Sequence, residues 1–259
     1  MSQDGFSRRG LITAGGLALG GLMLSGCDRL SRAPAFQDFI GGAQGLTFRA
    51  QRLVLAGQPL AREFSPKDLS PVFKANGTMR PRTPEYLAAQ ADDFASWRLP
   101  IGGLVRRPFS LSLAQIKALP ARTQITRHDC VEGWSAIGQW TGVQLGGLLS
   151  AAGLLPGAKY VVFHCADDLA GSANGQDRYY ESIDLFDAFH PQTILAHAMN
   201  GLPLTVAHGA PLRLRVERQL GYKQAKYVMR IEVVDRLDHI GGGKGGFWED
   251  RGYEWYAGI

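Results

Sequence analysis

Arg127-His128-Asp129-Cys130-Val131-Glu132-Gly133-Trp134-Ser135 is the stretch on which the reading of this chain turns. It follows Arg122 to Thr126, where Thr123 and Ile125 alternate with polar neighbours and predict a strand. That strand delivers Cys130 at its end, and strand ends with the loops after them are where sites are usually placed. Arg127 and His128 give the thiol an electropositive setting, which favours thiolate, the form that attacks or binds metal. Gly133-Trp134 sets a large ring beside the sulfur without crowding the backbone. A lone cysteine is also a small side chain suited to a core. The neighbouring residues therefore leave both readings open, functional thiolate and buried hydrophobe.

Working outward, Thr83-Pro84-Glu85 predicts a helix start, with Thr83 as cap and the helix running to about Ala91. Residues 99 to 111 are extended. Ser112 caps a short helix carrying Leu113, Ile116 and Leu119, stopped by Pro120. Downstream, Thr141 caps a helix with Leu145, Leu148, Leu149 and Ala152 on one face, ended by Gly153. Tyr160 to Cys165 reads as a buried strand. Ser182 caps a helix carrying Ile183, Leu185, Phe186 and Phe189. Ile194 to Met199 and Leu202 to Val206 form a hairpin about Asn200-Gly201. Leu212 to Glu217 has period two, with Arg213, Arg215 and Glu217 on one face, and Tyr227 to Val234 is the last strand. Helices and strands intersperse without βαβ regularity, so the expected fold class is α+β with mixed sheets and short helices.

The ends read differently. Ser7-Arg8-Arg9-Gly10-Leu11-Ile12 is a twin-arginine pattern, followed by an apolar, glycine-laced run to Leu24. Leu24-Ser25-Gly26-Cys27 resembles a bacterial lipobox, in which Cys27 becomes the lipidated N-terminus, and Asp28 resembles an inner-membrane retention signal. The expectation is export of a folded protein by the twin-arginine route to the periplasm or cell envelope, tethered to the inner membrane by a lipid anchor. Residues 1–26 are then the signal peptide. Residues 27–70 are a tether and N-terminal segment, with 28–50 a mixed linker and Leu53 to Gly57 strand-like. Residues 71–240 are the main domain, and 241–259 are a tail. Gly241 to Gly246 lacks the Ser or Thr that a phosphate loop needs after Lys244. It reads as a flexible link whose aromatic end, Phe247 to Tyr256, packs back on the domain.

The 259 residues, 45% of them hydrophobic, are enough to bury a core. The net charge of +5 is scattered, with no run of like charges, so nucleic acid is not an expected partner. The cysteines are Cys27, Cys130 and Cys165. Their odd number leaves at least one unpaired and allows a Cys130–Cys165 disulfide. No C-x-x-C, C-x-x-C-H or H-E-x-x-H occurs, which removes the commonest zinc, haem-attachment and dithiol motifs.

Four polar clusters lie at turns or strand ends: Asn76; Arg127 to Cys130; His208 to Arg213; and Lys223-Gln224-Ala225-Lys226. Together the last two would make a cationic pocket, with Arg offering a planar fork and Lys a compact charge. Their order and motifs carry a resemblance. Cys130-Val131-Glu132-Gly133-Trp134-Ser135, Trp140-Thr141-Gly142-Val143 and Lys159-Tyr160-Val161 look like the molybdopterin-binding domain of the sulfite oxidase family. His208-Gly209-Ala210-Pro211-Leu212-Arg213-Leu214 and Gly221-Tyr222-Lys223-Gln224-Ala225-Lys226 resemble its later signatures. The likeness spans roughly residues 70 to 240 and extends to the bacterial periplasmic methionine sulfoxide reductase branch.

The resemblance implies a Mo-molybdopterin cofactor with Cys130 as the thiolate ligand of the metal. Asn76 matches the family's early cofactor-contacting Asn, and Cys165 falls where the branch has a contacting Thr. His208 falls where it has Asn, or His in other members. Arg213, Lys223 and the Gln224-Ala225-Lys226 segment would hold the pterin and its phosphate. It further implies oxygen-atom transfer on a small-molecule substrate, such as reduction of an S-oxide or N-oxide. In the absence of any haem motif, electrons come from a membrane haem protein or another electron-transfer partner. Ser135 stands where sulfite oxidases carry an Arg for the anion, which counts against a sulfite-type oxidase. The rival classes are a thiol enzyme using Cys130 with His128 or His208 as base, and a non-catalytic binding lipoprotein.

Overall fold

The computed structural model describes residues 33–169 and 177–259; the twin-arginine run and Cys27 lie outside the described residues. The chain divides into two units, residues 1–57 and 58–259. In the first, Pro34–Val54 is a helix, not a linker and strand. Pro34 occupies its first turn, where the missing N–H is no loss. Its glycines, each about 1 kcal/mol poorer than Ala in a helix, are what make the stretch read as a tether. No described helix is long and apolar enough to cross a membrane.

The second unit begins earlier than residue 71 because the chain before it is already paired. Phe64 N donates to Ile125 O at 2.8 Å, and Ser70 N to Ile137 O at 3.0 Å. Among the described residues ten strands build two sheets. They are β1 (Arg98–Gly103), β2 (Phe109–Ser112), β3 (Ala121–Asp129), β4 (Ser135–Gln144), β5 (Tyr160–Asp168), β6 (Arg178–Asp184), β7 (Ile194–Met199), β8 (Leu202–Pro203), β9 (Arg213–Arg215) and β10 (Val228–Val234). One sheet has the order β2-β1-β10-β5-β6; the other runs β3-β4-β7-β8, with β9 also on β7. The pairing of β1 with β10 is parallel, Ile101 against Ile231, and its neighbours in that sheet pair antiparallel. The first sheet is mixed, the second is antiparallel, and the helices of this unit are short, an α+β fold. Strands of both sheets share one core with the helix Leu145–Ala152, through Leu99, Ile101, Leu149, Phe163, Leu214 and Ile231.

Several predicted elements stand. The helix Pro84–Ala91 follows Thr83. Ser112 caps Leu113–Ala118 in a reciprocal box with Gln115. Gly153, at φ 70°, ends the helix Leu145–Ala152. Two caps are corrected. Thr141 lies inside β4, and Gln144 precedes the helix instead. Ser182 lies inside β6, and Asp184 caps the short helix Leu185–Ala188 by accepting from Asp187 N.

The buried face of β4 presents Ala136, Gly138, Trp140 and Gly142. Small residues are needed there because β7 passes close: a Cβ on Gly142 would overlap the Leu195 carbonyl oxygen. Gly142→Ala is therefore expected to destabilise the protein by about 3 kcal/mol. Gly147→Ala, in a helix with open space at its Cβ, should stabilise it by about 0.5–1 kcal/mol. Urea denaturation of the two variants measures both.

Candidate active site

Strands β3 and β4 pair down to Asp129 against Ser135, and the loop between them holds Cys130. Gly133, at φ 83°, makes the turn. Its N–H donates to Cys130 O at 3.0 Å, and Cys130 N donates to Trp134 O at 2.9 Å. The loop's outer side is tied down by polar contacts. Glu132 accepts from Trp134 Nε1 at 3.1 Å and from Lys74 Nζ at 3.3 Å. Asp129 accepts from Ser135 Oγ at 2.5 Å and from Arg127 Nε at 3.0 Å. Cys130 is left buried and free.

The source of positive charge at Cys130 differs from the sequence expectation. Arg127 is exposed and bound to Asp129. His128 is fully buried beside Arg215, 3.1 Å from Nδ1 to Nη1. Burial, and then the charges of Arg213 and Arg215, hold its pKa well below the usual value and keep the imidazole neutral. The charge comes from residues far along the chain. Cys130, Asn76, Arg213, Gln224 and Lys226 line one cavity of about 170 Å³. Asn76 Nδ2 approaches Cys130 Sγ at 3.7 Å.

Two buried basic side chains face this space with no carboxylate in direct contact among the described residues, although Asp167, which lines the same cavity, attracts Lys226 from further away. Arg213 is 2% exposed; its Nη1 reaches only His208 O at 3.4 Å, and its Nε has no partner. Burial and the neighbouring Arg215 lower its pKa to about 9. Lys226 Nζ donates to the carbonyls of Asn76 at 2.7 Å, Ala207 at 3.2 Å and Thr78. Burial and Arg213 lower its pKa to about 7. Among the described residues neither has a carboxylate within 4.0 Å, whereas Arg215, Arg218 and Lys223 each have one. A buried cation without an anion costs several kcal/mol. An anionic group entering the cavity would relieve that cost at both residues, so the cavity fits the phosphate-bearing cofactor implied by the sequence. Asp167 also lines the cavity. Burial raises its pKa to about 7, against the pull of Lys226, and its Oδ1 has no partner.

Other expected site residues lie elsewhere. Cys165, free and buried on β5, lines a neighbouring cavity of about 760 Å³ with His164 and Arg230, so the two thiols form no disulfide. His208 turns its Nε2 to Phe73 O at 3.1 Å and its Nδ1 to Thr205 Oγ1 at 2.8 Å. Its backbone oxygen, not its ring, meets Arg213. Ala225 is buried, and its carbonyl accepts from Leu214 N at 2.8 Å. Lys223 corrects the expectation most clearly. It is fully buried, away from the cavity, with Nζ 2.5 Å from Glu181 Oε1 and 2.6 Å from Glu249 Oε1. Burial alone would lower its pKa, but the two carboxylates outweigh burial and raise it.

Glu249 belongs to the tail, and the tail is not a loose link. Asp250 takes the N–H groups of Gly242 at 2.7 Å and Lys244 at 3.0 Å. Phe247 stacks on Tyr179 at 5.5 Å, and Leu220 N donates to Ala257 O at 2.9 Å. The aromatic end does pack on the domain, and it adds Trp248 and Tyr253 to the lining of the Cys130 cavity. Sequence reasoning missed these two as site residues, and Asp167 with them. No spacing or motif marked them.

The ion triad gives a test of this placement. Lys223→Met strands two buried carboxylates and is expected to cost about 3–5 kcal/mol in urea denaturation of cofactor-free protein. Adding Glu249→Gln should restore part of the loss; a loss below about 1 kcal/mol for the single variant would contradict the triad.

Residues 86–239 match the model of a family described as the oxidoreductase molybdopterin binding domain. The chain is 40% identical over 201 residues to YedZ1 of Azospira oryzae, named a protein-methionine-sulfoxide reductase subunit, covering 75% of this chain and 70% of that one. It is 35% identical over 162 residues to MsrP of Xanthomonas axonopodis pv. citri, named a protein-methionine-sulfoxide reductase catalytic subunit. That match covers 60% of this chain and 50% of MsrP, so the chain spans half of this relative's length. Among solved structures, the sulfane dehydrogenase SoxCD of Paracoccus pantotrophus aligns with a TM-score of 0.48 and 24% identity, covering 55% of this chain and 39% of that one.

Proposed function

The chain belongs to the oxidoreductase molybdopterin-binding domain family, and on that premise we propose that it is the catalytic part of an exported reductase that removes the oxygen atom of an S-oxide. The observation that carries this reading is the convergence on one cavity of a free, buried sulfur and two buried basic side chains that, among the described residues, have no carboxylate in direct contact. When bound, molybdopterin supplies two-electron oxygen-atom transfer at molybdenum. Cys130 Sγ would hold the metal, and a soft thiolate suits it. Asn76 Nδ2 steadies the sulfur. Arg213 offers a planar fork, and Lys226 a point charge, to the anionic end of the cofactor. In the overall reaction the S=O bond breaks, two electrons and two protons are consumed, and a thioether and water leave.

The activity after which the two relatives are named supports an S-oxide substrate. Ser135 supports it too: its hydroxyl is bound to Asp129 at the exposed side of the loop, so no side chain at that position offers an anion a positive charge. The thiol-enzyme reading is weakened: both His208 nitrogens are engaged, by Phe73 O and Thr205 Oγ1, His128 Nδ1 meets Arg215, and among the described residues no hydrogen bond joins either ring to the Cys130 sulfur, although His128 Nε2 has no partner. Electrons would come from a membrane haem protein or another electron-transfer partner. The twin-arginine run and the Cys27 lipobox support export and an inner-membrane lipid anchor on the periplasmic side.

Protein made in a host with intact cofactor synthesis should contain about one molybdenum and one pterin per chain, and should oxidise a reduced viologen dye with methyl phenyl sulfoxide. Cys130→Ala should lose the metal. Wild-type protein without molybdenum, or an unchanged metal content in Cys130→Ala, sinks the reading. Lys226→Met should lower pterin content about tenfold, as expected for a lost charge-assisted contact, without the stability loss of Lys223→Met.

A further inference from the structure

We propose that the C-terminal tail forms the substrate-facing wall of the Cys130 cavity, with Trp248 and Tyr253 selecting the organic group of the S-oxide. This rests on the reductase reading above. The tail lies beyond residues 86–239, so membership of the domain family assigns it no role.

The cavity has two unlike ends. Arg213 and Lys226 are buried and charged, and they make its floor. Towards solvent Tyr253 is 41% exposed and Val131, next to Cys130, is 44% exposed, so the open side carries aromatic and apolar surface beside the exposed Glu132, whose carboxylate is bound to Lys74 and Trp134. Trp248 stacks on Tyr253 with ring centroids 5.3 Å apart and planes at 29°. An anionic group belongs on the floor. The open end offers ring faces, which suit an uncharged group carrying sulfur, because sulfur and aromatic rings attract.

The wall is built rigid. Arg251 N and Tyr253 N both donate to Trp248 O, at 2.9 and 3.0 Å, and Gly252 at φ 101° completes the turn that brings the rings together. Tyr222 sets its ring edge against Tyr253 at 5.2 Å, and its hydroxyl donates to Glu254 O at 2.6 Å. Glu249, beside Trp248, is locked to buried Lys223. A surface ordered before the ligand arrives loses little entropy on binding. The class of substrate that uses it is an S-oxide whose arm is long enough to lie across the rings. Dimethyl sulfoxide carries only methyl groups and has no arm to lay across them.

The test compares holoenzyme of the wild type, Trp248→Ala and Tyr253→Leu. For methyl phenyl sulfoxide, KM should rise about tenfold with kcat within about twofold, as for loss of an aromatic anchor. For dimethyl sulfoxide, KM should stay within about twofold, and molybdenum content should be unchanged. Equal losses on both sulfoxides, or loss of molybdenum with either substitution, overturn the proposal. If Trp248→Ala does not fold, Trp248→Phe, which keeps a smaller ring, should give a rise of about threefold on methyl phenyl sulfoxide alone. Calorimetric titration of oxidised holoenzyme with methyl phenyl sulfoxide separates the wall from the chemistry. Binding without turnover in the wild type removes the reductase reading and keeps the wall, provided the variants bind about tenfold more weakly. Equal Kd in wild type and variants removes the wall whatever the turnover, and no binding to the wild type removes it as well.

Discussion

A charge taken out of water must find an opposite charge or remain a standing cost, and this domain is arranged by that rule. The segment from Arg213 to Lys226 carries five buried cations: Arg213, Arg215, Arg218, Lys223 and Lys226. Three are answered. Arg215 forks onto Glu217 through two hydrogen bonds of 2.9 and 2.6 Å, Arg218 meets Asp187, and Lys223 meets Glu181 and Glu249. These pairs fix β9 to its neighbours and the tail to the domain. The two with no such contact among the described residues, Arg213 and Lys226, border the cavity with Cys130, where Asp167 attracts Lys226 from further away. Structure and site thus divide one set of charges between them, and the division follows from which cations received a carboxylate.

The same rule explains which elements were legible in the sequence. Ser112 and Gln115 announce a helix because their reciprocal hydrogen bonds are local, and Gly153 announces its neighbour's end for the same reason. Strand β4 was hidden although its burial alternates cleanly from Ala136 to Gly142. Its inward residues are Ala, Gly, Trp and Gly, chosen by the closeness of β7, and glycine carries no hydrophobic signal. Thr141 therefore resembled a cap when it was a strand residue. Ser182 misled for a related reason: the helix it seemed to open begins two residues later, at the Asp184 cap. The long N-terminal helix was masked by glycines in the opposite sense, since they suggested a linker where a helix tolerates them.

The site was legible only in part. Cys130 and the strand that delivers it follow from local pattern. That Asn76, Arg213, Gln224 and Lys226 line one cavity with it follows from no local rule, and only the family resemblance pointed to them. Lys223 and Lys226 look alike in sequence, and three residues separate a structural ion triad from a cavity wall. Nothing in Lys223 itself shows which carboxylates will reach it, because Glu181 and Glu249 come from distant parts of the chain. Trp248, Tyr253 and Asp167 were invisible for the same reason: their place at the cavity is a product of tertiary packing alone.

The parallel pairing of β1 with β10 joins the beginning of the domain to its end, Ile101 beside Ile231. Contacts between residues so far apart in sequence form slowly, because the loop must close before the pairing can reward it. During synthesis the Cys130 hairpin emerges long before β10, Lys226 or the tail. The cavity consequently has no floor and no wall while the chain is still being made. Its assembly is a late event of folding, and a cofactor held by residues from both ends of the domain meets a finished polypeptide rather than a growing one.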